Sequence, residues 1–204
     1  AIAFLQWENK RVPFKIEVPN ATELYVDQMR KELLGWPGFN YQNWQRAAQF
    51  CADNKVNLPE ALVWADKAIS DPFRGAAQGR EDFFTLQTKA SVLTAMDRSA
   101  DADAAMDKAI RLAGAPPLSV HQYGVRLISA GRKDRAMTVF KLNRQQHPDD
   151  QFVTYVGLAR GYTALGDRKS AIANWEIALR NVPDTQKINL PVYEKALKAL
   201  KDAG

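Results

Sequence analysis

A spacing of 34 to 35 residues between small side chains restricts this chain more than any other feature. In the stretch DRKSAIANWEIALRNVP, Ala171 is followed by Trp175, Ala178 and Pro183, with Gly166 five residues before it. The register recurs in GRKDRAMTVFKLNRQQHP as Gly131, Ala136, Phe140, Asn143 and Pro148, with Ala136 lying 35 positions before Ala171. A further 34 positions back, SADADAAMDKAIRLAG supplies Ala102, Met106, Ala109 and Gly114. A period of this length marks one supersecondary unit that buries its apolar face against neighbouring copies.

The halves before these stretches align as well. Tyr155, Leu158, Ala159 and Tyr162 occupy the relative positions of Val120, Tyr123, Gly124 and Leu127, and of Leu86, Lys89, Ala90 and Leu93. Apolar spacing at three and four predicts helices. Gly131 and Gly166 fall where a turn requires positive φ. Each copy therefore reads as helix, turn, helix. Ala and Gly let two helices approach closely, while Phe140 or Trp175 fills the adjacent gap.

These residues resemble the tetratricopeptide repeat (TPR), a motif of about 34 residues. The resemblance covers copies beginning near Phe83, Pro117 and Phe152. A further copy upstream carries Trp44, Ala47, Ala48 and Cys51, then Ala61, Ala65, Ala68 and Pro72. It departs from the pattern: NKVNLP replaces the glycine turn by a longer one, and Ala65 stands where a bulky residue is usual. The looser segment FRGAAQGRED follows, and its GAAQG, residues 75–79, reads as linker. The resemblance implies an all-α solenoid of four helix pairs, at about 41–74, 83–116, 117–150 and 152–185.

At the C-terminal end, residues 186–204 read as a capping helix. Pro191 suits a first turn, and Val192, Ala196, Leu197 and Leu200 form its apolar stripe. A short stripe flanked by lysines favours a cap over a membrane-surface role.

Residues 1–19 alternate instead with period two. Val12, Phe14, Ile16 and Val18 interleave with Pro13, Lys15 and Glu17 after a polar turn at Glu8–Arg11, which predicts a β-hairpin. The first run, Ala1–Leu5, is apolar on both faces, more than a two-stranded hairpin can bury. Either it packs on the first helices, or it is the remnant of a β domain preceding Ala1; the missing initiator Met favours processing or truncation. Residues 20–40 read as a bridging helix and loop. Asn20 and Glu23 are placed as a capping box, Val26, Met29 and Leu33 as its stripe, and Gly35 with Pro37 as its end.

LQWENKRVPFKIEV and NWQRAAQFCADNKVNLPEALVWADKAI together also resemble the C-terminal portion of a bacterial family, common in Bacteroidetes-type organisms, that joins a small β domain to TPR-like helices. That resemblance implies a periplasmic or secreted setting and no chemistry.

Composition narrows the classes. With 204 residues, 46% of them hydrophobic, the chain can bury a substantial core. No apolar run reaches the ~20 residues of a membrane-spanning helix. The net charge of +5 comes from 28 basic residues spread among 23 acidic ones, and RKDR and ENKR lack interleaved aromatics, so no nucleic-acid partner is expected. One cysteine, Cys51, excludes an internal disulfide and reads as a core hydrophobe. His121 and His147 make no metal-ligand pair. His147 and Asp149 in QQHPDD read as a repeat junction, with the aspartates capping the next helix, rather than as an acid/base dyad. Neither catalysis nor a cofactor is expected.

The TPR resemblance implies that the first helix of each pair lines a concave groove. Carried over by position, it selects Gln45, Gln49, Phe84, Gln87, Ser91, His121, Val125, Ile128, Val153, Val156 and Arg160, with Gln42, Asp53, Thr94, Leu118, Ser129 and Thr163 beside them. Such a groove is amide-rich at one end and apolar at the other. Amides satisfy a peptide backbone without demanding charge. The Lys and Asn of the chaperone-binding carboxylate clamp are absent from its positions, occupied here by Gln45, Gln49, Thr88, Leu118 and Gln122. The leading expectation is a non-enzymatic module binding a protein or peptide segment. The alternative is a structural support for a ligand-binding or catalytic β domain. In a blander reading, the valines from Val125 to Val156 only pack against the hairpin or the capping helix.

Overall fold

The computed structural model describes residues 2–15, 17–70 and 79–202. Ten α-helices and one two-stranded hairpin occupy them. The chain divides into two compact units, Ala1–Met106 and Asp107–Gly204.

In the first unit, β1 (Ile2–Trp7) pairs antiparallel with β2 (Lys10–Lys15), setting Leu5 opposite Val12. The turn is tighter than Glu8–Arg11, because Lys10 and Arg11 already pair with Trp7 and Gln6. Glu8 takes φ 51°, the sign a two-residue hairpin turn needs. Ala1 and Ile16 lie outside the described residues. Ile2, Leu5, Trp7 and Val12 are 59–79% exposed, so the helices do not cover the hairpin's apolar side chains.

α1 (Ala21–Leu33) buries Val26 and Leu33 and packs Met29 against the same core. Its expected capping box does not form. Asn20 is left-handed (φ 55°) and makes no side-chain cap; a capping side chain needs the extended backbone that points its oxygen at the free N–H groups. Gly35 is also not a left-handed terminator. Leu34 stays right-handed, Gly35 is extended, and Pro37 enters a 3-10 helix, Trp36–Phe39.

α2 (Tyr41–Asn54) and α3 (Leu58–Ser70) supply Trp44, Ala47, Ala48, Cys51, Ala61, Ala65 and Ala68 to the core. The bulk missing at Ala65 arrives one position earlier, from buried Trp64. Lys55 (φ 53°) and Asn57 (φ 49°) make the turn that glycine makes elsewhere. Arg30 reaches across from α1 to hold Glu60 in a two-pronged ion pair, at 2.9 and 2.7 Å. Pro72 and residues 75–78 of the expected linker lie outside the described residues. α4 (Phe83–Ala95) begins with a reciprocal capping box: the Asp82 carboxylate accepts from Thr85 N–H at 2.9 Å, and Thr85 Oγ1 accepts from Asp82 N–H at 3.1 Å. α5 (Ser99–Ala109) buries Ala102, Met106 and Ala109.

The second unit continues with α6 (Pro117–Ser129), α7 (Lys133–Gln146), α8 (Val153–Leu165) and α9 (Arg168–Arg180). Gly131 (φ 76°) and Gly166 (φ 81°) make the turns within the two pairs. Phe140, fully buried, inserts from α7 against Gly124 of α6 and Gly157 of α8. Asn143 Nδ2 donates to the Pro117 carbonyl at 2.9 Å. In QQHPDD, Asp150 alone of the two aspartates meets the start of α8, accepting from the Phe152 and Thr154 N–H groups at 3.1 and 2.9 Å, while the N-cap position itself falls to Phe152, which has no capping side chain.

A 3-10 helix (Asp184–Asn189) leads into α10 (Leu190–Asp202), so the terminal helix starts later than 186. Tyr193, Ala196, Leu197 and Leu200 pack on Phe152, Val156, Ala159 and Trp175. Val192, expected in this stripe, is 62% exposed, and Tyr193 takes its place. No α10 residue is fully buried. Arg168 ties the helix down through the carbonyls of Leu200 and Lys201, and Lys201 pairs with Glu176 at 2.6 Å.

Candidate functional site

Two clefts collect most of the residues selected from the sequence, one in each unit. In the first unit, the buried stripe of α2 leaves Gln42, Gln45, Arg46 and Gln49 on another side of the helix, at helical spacings of three and four. Phe84, Gln87, Thr88 and Ser91 repeat that spacing on α4. Together these eight residues line a cleft of about 420 Å³. All five residues selected in this unit, Gln45, Gln49, Phe84, Gln87 and Ser91, belong to it.

Part of its polarity is already committed. Gln45 Nε2 donates to Thr88 Oγ1 at 3.3 Å, Gln49 Nε2 to Asp53 Oδ1 at 2.7 Å, and Ser91 Oγ to the Gln87 carbonyl at 3.0 Å. The side chains of Gln42, Arg46 and Gln87 have no hydrogen bond or ion pair among the described residues. Phe84 is 48% exposed and meets Phe83 edge-on at 5.5 Å. The cleft thus offers two amides, one guanidinium and one phenyl face. Arg46 was missed because the repeat pattern assigns no groove position to it; its spacing of four from Gln42 is the signal that could have found it.

In the second unit, Val125, Ile128 and Arg160 line a cleft of about 600 Å³, with Ser129 and Thr163 beside them. Its remaining walls are Ala164, Trp175 and the α10 residues Val192, Tyr193, Ala196, Ala199 and Leu200. The sequence shows that α10 has an apolar stripe but not which helices it meets.

Three expected groove residues sit elsewhere. Val156, 5% exposed, is a core residue, because Phe152, Val156 and Ala159 continue one stripe at spacings of four and three. Val153 packs beside that core. His121 is turned onto Phe140, with ring centroids 5.7 Å apart, and its buried Nδ1 has no hydrogen-bond partner. Burial pushes its pKa down to about 4; the Arg160 charge acts in the same direction and Asp150 opposes both. The ring is therefore neutral near pH 7.

Among the described residues no cluster of His, Cys, Asp or Glu could hold a metal ion, and no helix is long and apolar enough to cross a membrane. Cys51 is buried, and burial raises its thiol to about 11, far from a reactive thiolate. No hydrogen bond joins His147 to Asp149. No family model, curated protein or solved structure matches the chain.

Proposed function

We propose that the chain is a non-enzymatic interaction module built from TPR-like helix pairs arranged as a solenoid, and that the α2–α4 cleft binds an extended peptide segment. The observation that carries this reading is the cleft's chemistry: unbonded amides at Gln42 and Gln87 beside the exposed ring of Phe84. An amide donates and accepts at once, which matches the alternating N–H and C=O of an extended backbone, while a phenyl face takes an apolar side chain. Arg46 would favour an acidic residue nearby. The offset of 34 to 35 residues, coinciding with helix pairs and left-handed turns, supports the repeat assignment.

Selection from a random peptide display library, followed by titration of the winners into Phe84→Ala and Gln87→Ala, tests it. A loss of tenfold or more in affinity, at unchanged melting temperature, is expected. Winners that bind both variants as well as the parent would end the reading. The resemblance to exported proteins adds a periplasmic or secreted setting, checked by cell fractionation.

The exposure of Ile2, Leu5, Trp7 and Val12 favours a second reading, in which the hairpin belongs to a larger β domain that the helices support. Hydrogen exchange on the 204-residue chain tests it. Protected amides on both outer edges of the hairpin would mean that the sheet is already complete, against this reading.

A further inference from the structure

We infer that the cleft between α6, α8 and α10 is a binding site for a small amphiphile with one carboxylate: an aliphatic monocarboxylate whose chain lies along Val125, Ile128, Trp175, Tyr193 and Leu200 and whose head group meets Arg160. The cleft belongs to the second unit and shares no residue with the α2–α4 cleft, so either assignment can fail without the other.

Arg160 sets the charge of the ligand. Its Nε is buried and lacks a hydrogen-bond partner, and its guanidinium makes no ion pair among the described residues. A guanidinium carries five donors and cannot shed its proton, so leaving its buried Nε–H without an acceptor is costly. A carboxylate repairs this with two parallel, charge-assisted bonds.

The remaining polar groups set how little else the ligand carries. Ser129 Oγ donates to the Val125 carbonyl at 3.2 Å, and Thr163 Oγ1 to the Ala159 carbonyl at 2.7 Å. The Tyr193 hydroxyl donates to Gln186 Oε1 at 3.3 Å. With those protons committed, the side-chain donors left in the lining are the guanidinium and the indole N–H of Trp175, which has no hydrogen bond among the described residues. A peptide would bring an N–H and a C=O at every residue, and these walls would leave most of them unmet. A hydrocarbon chain demands nothing of them. The volume, about 600 Å³, falls within the range of small-molecule sites. α10 contributes five of the twelve lining residues without burying any of its own residues completely, so the wall can adjust to chain length.

The test uses the full 204-residue chain and calorimetric titration with dodecanoate below its micellar concentration. Dodecanol, dodecyltrimethylammonium and a peptide ending in Val-Leu serve as comparison ligands. Saturable one-to-one binding of dodecanoate is expected, with dodecanol at least tenfold weaker and the cation and peptide without measurable binding. Arg160→Gln should cost tenfold or more in dodecanoate affinity while leaving dodecanol unchanged. Ala196→Trp, which fills the cleft from α10, should abolish binding of both; it keeps the proposal testable if Arg160→Gln lowers the melting temperature. Nuclear Overhauser contacts from the chain to the Val125 and Ile128 methyls complete the expected result. Equal affinity for dodecanoate and dodecanol, preference for the peptide, absence of saturable binding, or binding untouched by Ala196→Trp would each overturn it.

Discussion

The ring of Phe140 occupies the space that any side chain at Gly124 would need: a Cβ built there would stand 2.3 Å from Phe140 Cε1. The same ring lies 2.7 Å from the Cβ position of Gly157, so it is pinned from both sides and is fully buried. Interiors packed at crystal density have no slack to absorb such an overlap.

Gly124→Ala should therefore destabilise the second unit although alanine is the better helix former. Overpacking costs ~1–3 kcal/mol, against a helix gain of up to ~1 kcal/mol. Urea unfolding should show a net loss, and Phe140→Leu in the same chain should reduce the penalty. A more stable Gly124→Ala would mean that α6 and α7 sit farther apart.

Backbone handedness makes an opposite pair of predictions in the two turns. Lys55 holds φ 53° with a side chain, at a cost glycine avoids, so Lys55→Gly should add about 1 kcal/mol. Gly166 holds φ 81°, and Gly166→Ala should remove about as much. Melting temperatures that shift the same way in both variants would contradict the turn geometry.

His121 should make the second unit sensitive to acid. Well above pH 6.5 its ring is neutral in both folded and unfolded chains. As pH falls below that value the unfolded imidazole takes a proton, whereas the buried ring resists until about 4, so stability is lost across this window. The full penalty is on the order of 3 kcal/mol. His121→Gln should flatten the pH dependence between 6.5 and 4, and the His121 ring resonances should show no titration above pH 5. An imidazole titrating near 6.5 would place this ring in water.

Cys51 should be nearly inert to an aromatic disulfide reagent at pH 8. A thiol raised to about 11 lowers the thiolate fraction by roughly two orders of magnitude relative to a free cysteine, before burial slows access further. Full reactivity should return in denaturant. Fast labelling of the native chain would show that α2 opens away from α1 and α3.

Much of the local structure can be read from the sequence, because its causes are local. The helix pairs, the turns at Gly131 and Gly166, the burial of Ala136, Phe140 and Ala171, and the hairpin of β1 and β2 all follow from periods of 3.6 and 2 and from residues that tolerate positive φ. Gln45, Gln49, Phe84, Gln87 and Ser91 share one cleft for the same reason, since equal spacing on two neighbouring helices places them on corresponding sides. Tertiary packing decided the rest. Periodicity does not specify how far each helix is rotated against its neighbours, and that rotation put Val156 in the core, turned His121 onto Phe140 and brought Arg160 into a cleft walled by α10. Lys55 likewise takes a glycine's backbone angle because the packing of α2 on α3 requires the turn there, and burying Trp44, Cys51 and Trp64 outweighs the strain of one left-handed residue.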